Sequence, residues 1–151
     1  KIAYNKKSSF GSFIKSHSSE LSLAHGRIFF VNKTSILAGA IDCKGDSILI
    51  EEYPRLNFNC FFDIKDKEKF LKNFSISEKI DNKPLKLNVI GSLNLLNKKI
   101  NFEKISTSEN YIAREEDKFF FKETFEKTLF NEDFFDIFIL DKFKNFILEI
   151  I

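Results

Sequence analysis

Arginine is scarce in a lysine-rich chain. Arg27, Arg55 and Arg114 are the only arginines among 24 basic residues. The planar arginine fork is the usual reader of phosphates and base edges. The net charge of +2, in a chain that is 30% charged, leaves no concentrated basic face. Nucleic acid is therefore not an expected partner. Histidine is limited to His17 and His25, both in a polar N-terminal region that suits solvated side chains. Cysteine occurs twice, as Cys43 and Cys60, without a CxxC or a Cys/His cluster, so neither a metal nor a cofactor is expected. The pair admits a disulfide in an oxidising compartment. The simpler reading is two small apolar strand residues. No apolar run reaches the roughly 18 residues that a membrane-crossing helix needs.

Catalytic patterns are missing too. No serine lies in GxSxG, and neither a glycine-rich phosphate loop nor HExxH occurs. Glu51 and Glu52 are neighbours on an expected strand, where they would point to opposite faces. Glu115, Glu116 and Asp117 precede an expected helix, whose positive end stabilises them. Lacking partners for hydrolytic chemistry, the chain reads as a non-enzyme. Tryptophan and methionine are absent, and only two prolines and five glycines occur. No Pro- or Gly-rich linker divides the chain, so residues 1–151 read as one domain or a segment of a larger protein. The apolar run Phe146–Ile151 reads as an element cut short.

What the chain has in excess is phenylalanine, 20 residues of it. A bias towards A- and T-rich codons favours Lys, Asn, Ile and Phe together. Even so, each ring brings about 150–250 Å² of surface that something must cover.

Residues 1–20 are serine-rich and read as an irregular lead-in or a weak edge strand, with order beginning near Leu21. Period-two patterning follows. His25-Gly26 is a turn, Arg27 to Val31 a short strand ended by Asn32-Lys33, and Ile36 to Cys43 the next strand. Lys44-Gly45-Asp46 reads as a tight hairpin turn, followed by a strand from Ser47 to Tyr53. The clearest strand runs from Leu56 to Ile64. Asp66 is a candidate N-cap for a helix Lys67–Phe74 with Phe70, Leu71 and Phe74 on one side. Leu85 to Leu95 forms a second clear strand, interrupted by Gly91, a residue type that often marks a bend or bulge. Asn97-Lys98-Lys99 turns the chain into a hairpin partner, Ile100 to Ile105. Phe121, Phe125 and Leu129 share one side of a helix over 117–130, and a second helix, capped by Asn131, takes Phe135, Ile139, Phe143, Phe146, Ile147 and Ile150. A buried strand from Phe134 to Leu140 is the alternative there. The expected fold is mainly β (α+β): a curved antiparallel sheet of about six to eight strands with a short middle helix and one or two C-terminal helices.

The stretch Leu85–Thr107, LKLNVIGSLNLLNKKINFEKIST, resembles AsmA-like and TamB-like envelope proteins of Gram-negative bacteria. Gly26–Ile64, GRIFFVNKTSILAGAIDCKGDSILIEEYPRLNFNCFFDI, resembles their serial strands, and Lys118–Ile151 resembles segments near their carboxyl end. The resemblance implies a long curved sheet, U-shaped in section, with an apolar inner face. It implies a periplasmic location, an inner-membrane anchor outside this chain, and passive movement of phospholipid between membranes in support of outer-membrane biogenesis. No catalytic residue carries over. Other segments of the same larger protein would be its neighbours, and membrane association would run through parts not in this chain.

The residues make the same reading possible. Leu56, Phe58, Cys60, Phe62 and Ile64 share one strand face, and Leu85, Leu87, Val89, Leu93 and Leu95 share another. Such a face would hold phospholipid acyl chains, gaining about 0.8 kcal/mol per buried CH₂. Two further readings stand beside it. One is a protein–protein interaction module whose helices close the same face into a core. The other is a small closed β-barrel that binds an apolar ligand.

Overall fold

The structure, a computed structural model, describes residues 2–7, 14–72, 83–108 and 111–129. The expected second C-terminal helix, its alternative strand Phe134–Leu140, and Phe74 lie outside the described residues. Seven strands form one antiparallel sheet in sequence order: β1 (Ile2–Lys7), β2 (Ile14–Ala24), β3 (Arg27–Ile36), β4 (Gly39–Ile48), β5 (Arg55–Ile64), β6 (Leu85–Asn94) and β7 (Ile100–Thr107). Helix α1 (Lys67–Lys72) lies between β5 and β6, and α2 (Glu115–Leu129) follows β7. The chain is mainly β, as its alternating patterns predict. Among the described residues the sheet is an open meander with β1 and β7 at its two edges and does not close into a barrel.

The strands Leu56–Ile64 and Leu85–Leu95 are present almost as expected, although Leu95 falls in the turn beyond β6. The N-terminal half departs from expectation. Of the two readings of residues 1–20, the edge strand holds for Ile2–Lys7, which is the edge strand β1, while order begins before Leu21: Ile14–Ala24 is the longest described strand, paired on both sides. Hydroxyl side chains suffice there because neighbouring strands satisfy the backbone. Asn32-Lys33 does not end β3, which runs to Ile36. Lys44-Gly45-Asp46 is not a turn but the middle of β4. The real reversals are His25-Gly26 and Leu37-Ala38. At the first, both residues take positive φ (48° and 73°), the signature of a tight hairpin whose twist matches its strands. The second carries no turn-forming residues because it is part of the core. Ala38 is buried with Ile36 and Ile64, and Phe70 of α1 packs against that cluster. A polar turn would be desolvated there. The expected strand Ser47–Tyr53 is likewise absent: β4 ends at Ile48, and Glu51 and Glu52 lie in an exposed bend.

Helix starts follow their sequence signals. The Lys69 amide donates to Asp66 Oδ1 at 2.8 Å, the side-chain cap expected of Asp66. At α2 the Arg114 amide donates to Asp117 Oδ2 at 3.0 Å, so Asp117 reaches back over the first turn. The Tyr111 hydroxyl donates to the same oxygen at 2.9 Å. The Arg114 amide, then the Tyr111 hydroxyl, holds the Asp117 carboxyl below the usual carboxylate range, while the same bond raises the Tyr111 phenol.

The edge at β7 is blunted. Outward-facing backbone groups are engaged by α2 and the segment before it: Ile100 N–H donates to Glu126 Oε1 (3.0 Å), Lys118 Nζ to Glu103 O (3.2 Å), Ala113 N–H to Ile105 O (2.9 Å) and Thr107 N–H to Tyr111 O (2.9 Å). A capped edge cannot template pairing with another strand.

Candidate functional site: an apolar sheet face

Pairing registers sort the side chains into rows that run across the strands. One row on the apolar face reads Leu21, Phe30, Gly45, Phe58, Gly91 and Phe102. The next reads Ser19, Asn32, Cys43, Cys60, Val89 and Ile105; the third reads His17, Thr34, Ile41, Phe62, Leu87 and Thr107. Of the ten residues expected on this face, nine lie on it. Leu56, Phe58, Cys60, Phe62 and Ile64 of β5 stand beside Leu93, Gly91, Val89, Leu87 and Leu85 of β6, in that order. Leu95 is the exception: it sits half-buried in the following turn, with its amide donating to Pro54 O at 3.0 Å.

The Phe–Gly–Phe–Gly–Phe row explains two of the glycines. A Cβ on Gly45 would run into the Asn57 carbonyl oxygen and then the Phe30 ring, and one on Gly91 into the Asn101 carbonyl oxygen and, at 2.8 Å, Phe58 Cζ. Each ring lies across a strand whose glycine leaves room for it, the aromatic cover seen over glycines in sheets. Phe58 meets Phe102 edge-on at 6.4 Å, and Phe102 meets Phe125 of α2 edge-on at 5.9 Å. The aromatic chain thus continues from sheet to helix, in a geometry that aromatic pairs prefer. Gly91 also sits at a β-bulge against β7.

Cover over this face is uneven. α2 packs on β7, where Ile100 and Ile105 are buried, as is Leu93 of the neighbouring β6. α1 covers the end at Ile36, Ala38 and Ile64. Ile41 and Phe62 pack against that cluster, and between it and the α2 edge Cys43, Cys60, Leu87 and Val89 remain half-buried. At the far flank Leu21 and Leu23 are 37% and 63% exposed. The polar members of the face pair across β2 and β3: His17 Nδ1 lies 2.8 Å from Thr34 Oγ1, and Ser19 Oγ donates to Asn32 Oδ1 at 2.6 Å. Ser47 is 1% exposed and its hydroxyl has no hydrogen-bond partner, which costs about 1–3 kcal/mol.

Cys43 and Cys60 are opposite each other in register, Cα atoms 4.1 Å apart, and they form a disulfide. This corrects the reading of two unpaired small residues. Seventeen residues of separation gave no hint of the pairing, which depends on β4 and β5 being adjacent. The bond ties the central hairpin together and restricts the unfolded chain by about 3 kcal/mol.

The opposite face was legible only in part. It carries a cleft of about 460 Å³ lined chiefly by Phe29, Val31, Lys44, Asp46, Asn57, Asn59 and Ile90, with Glu103 at its margin. Asn57 and Asn59 are visible in sequence as the polar half of the β5 alternation. Their meeting with Phe29 and Asp46 follows from pairing across three strands.

Among the described residues no group of His, Cys, Asp and Glu is placed to hold a metal ion, and no helix is long and apolar enough to cross a membrane. Comparison with known protein families, curated proteins and solved structures finds no match.

Proposed function

We propose that the chain is a non-catalytic envelope module that shields phospholipid acyl chains on its apolar sheet face, as part of a larger AsmA-like bridge between membranes. The observation that carries this reading is the uneven cover. The middle of the face, Cys43, Cys60, Leu87 and Val89, stays half-buried between the cluster at α1, against which Ile41 and Phe62 pack, and the edge covered by α2. Apolar surface left accessible in the middle of a sheet needs an occupant. Acyl chains suit it because their contact with Leu87 and Val89 is non-directional and proportional to area. The Cys43–Cys60 disulfide supports an oxidising compartment such as the periplasm. Such a conduit needs surface and no reacting groups.

The interaction-module reading is favoured by a different observation. Phe119 and Phe120 of α2 are 59% and 49% exposed, together with Tyr111 and Ile112 just before the helix. The two readings separate on purification. Expressed in bacteria and extracted with organic solvent, the protein is expected to release phospholipid in stoichiometric amount, and Leu87→Asp to release far less while remaining folded. A lipid-free protein with an intact Leu87 would sink the lipid reading.

A further inference from the structure

The cleft on the opposite face has features that a merely solvated strand surface does not need. Phe29, Asp46 and Asn57 lie in one cross-strand row; Val31, Lys44, Asn59 and Ile90 lie in the next. Phe29 is 49% exposed, so one side of an aromatic ring is open to solvent. Among the described residues, no side-chain hydrogen bond or ion pair engages Lys44, Asp46, Asn57 or Asn59. The two amides therefore keep their full capacity to donate and accept. The β-bulge opposite Ile90 and Gly91 inserts Glu103 as the extra residue of β7 and sets it at the end of the cleft. Bulges commonly re-aim a side chain in this way.

We propose that this cleft binds a neutral saccharide. An exposed ring offers its face to the C–H groups on one side of a pyranose. Paired amides and a carboxylate on adjacent strands match the donor–acceptor pattern of vicinal hydroxyls, and an amide also matches an N-acetyl group. Asp46 and Glu103 are balanced by Lys44 and by Lys104, which stands opposite Ile90 in the same row, so the cleft carries no net charge and suits a neutral sugar. The cleft is shallow and largely open to solvent, so a sugar would lie across it, and its volume of about 460 Å³ is enough for one or two rings. Alternation places Phe29, Asp46, Asn57 and Asn59 on the other side of the sheet from the proposed lipid face, although Phe58 and Gly91 of that face also line the cleft.

The test is nuclear magnetic resonance titration of the folded chain with cellobiose, maltose and N,N′-diacetylchitobiose, following the side-chain amide signals of Asn57 and Asn59. At least one disaccharide is expected to shift both signals saturably at millimolar concentration. Phe29→Ala and Asn57→Ala/Asn59→Ala should each weaken it about tenfold, the loss expected for one or two neutral contacts. These residues lie at the surface, so the variants keep the wild-type backbone spectrum. The proposal is overturned by absence of any saturable shift, by binding that survives both variants, or by preference for a uronic-acid disaccharide over all three probes.

Discussion

The two faces of the sheet are built from the same strands and differ in almost everything else. On one, aromatic rings and glycines alternate across five strands, a disulfide bridges the middle, and two helices cover the flanks. On the other, amides and charges surround an open ring. The difference teaches that register, more than composition, decides what a phenylalanine does here. Phe29 and Phe30 are adjacent in sequence, yet one is solvent-exposed and the other lies over Gly45. Adjacent strand residues necessarily point to opposite sides.

The comparison breaks first if truncations on the two faces cost the same. Phe58→Ala removes a ring packed on Gly91 and Phe102 and is expected to cost about 2–4 kcal/mol, whereas Phe29→Ala should stay within about 0.5 kcal/mol. Urea denaturation of the two variants measures both. The next largest effect is at the disulfide. Cys43→Ala/Cys60→Ala should lose about 3 kcal/mol, and reduction of the wild type should lose a similar amount. Equal stability of oxidised and reduced protein would show that the central hairpin does not depend on the bond.

The covered flank can be loosened separately. Glu126→Ala leaves the Ile100 amide without its acceptor and removes the 2.7 Å contact with Lys99, at an expected cost of about 1.5–3 kcal/mol. Its signature is faster hydrogen exchange at Ile100 with little change at β4. Ser47→Ala sharpens the contrast in the other direction. It deletes a buried hydroxyl with no partner, and a gain of about 1 kcal/mol is expected, read as a higher melting temperature.

The smallest effect concerns pH. The Asp117 carboxyl is held below its ordinary value, so the unfolded chain binds more protons between the folded pKa and the unfolded value of about 3.9. Stability therefore rises with pH through that window, and the Asp117 contribution is full above it. Asp117→Asn should melt lower than wild type at neutral pH, with the gap closing as acid protonates Asp117. A constant gap would mean that the carboxylate charge plays no part at the start of α2.

Much of the fold was legible because β5 and β6 alternate cleanly and Asp66 announces its helix. The misreadings share one physical cause: local residue preference was overridden by contacts distant in sequence. Gly45 between Lys44 and Asp46 looked like a turn, but glycine is there because the Asn57 carbonyl of β5 and the Phe30 ring of β3 leave no room for a Cβ. Leu37-Ala38 looked like strand, but the reversal is apolar because α1 packs beside it. The candidate apolar face was read almost whole, since alternation alone assigns it. The disulfide, the half-open middle and the cleft around Phe29 were not, because each depends on which strands are neighbours.

Site-specific photocrosslinking on both faces tests the account most directly. A photoreactive residue is placed at Phe58 or Leu87 on the apolar face and, as control, at Phe61 on the opposite face, in cells grown with labelled phosphate. The account predicts labelled phospholipid adducts from Phe58 and Leu87 and none from Phe61. Protein adducts alone from Phe58 and Leu87, or equal lipid labelling from all three positions, would contradict it.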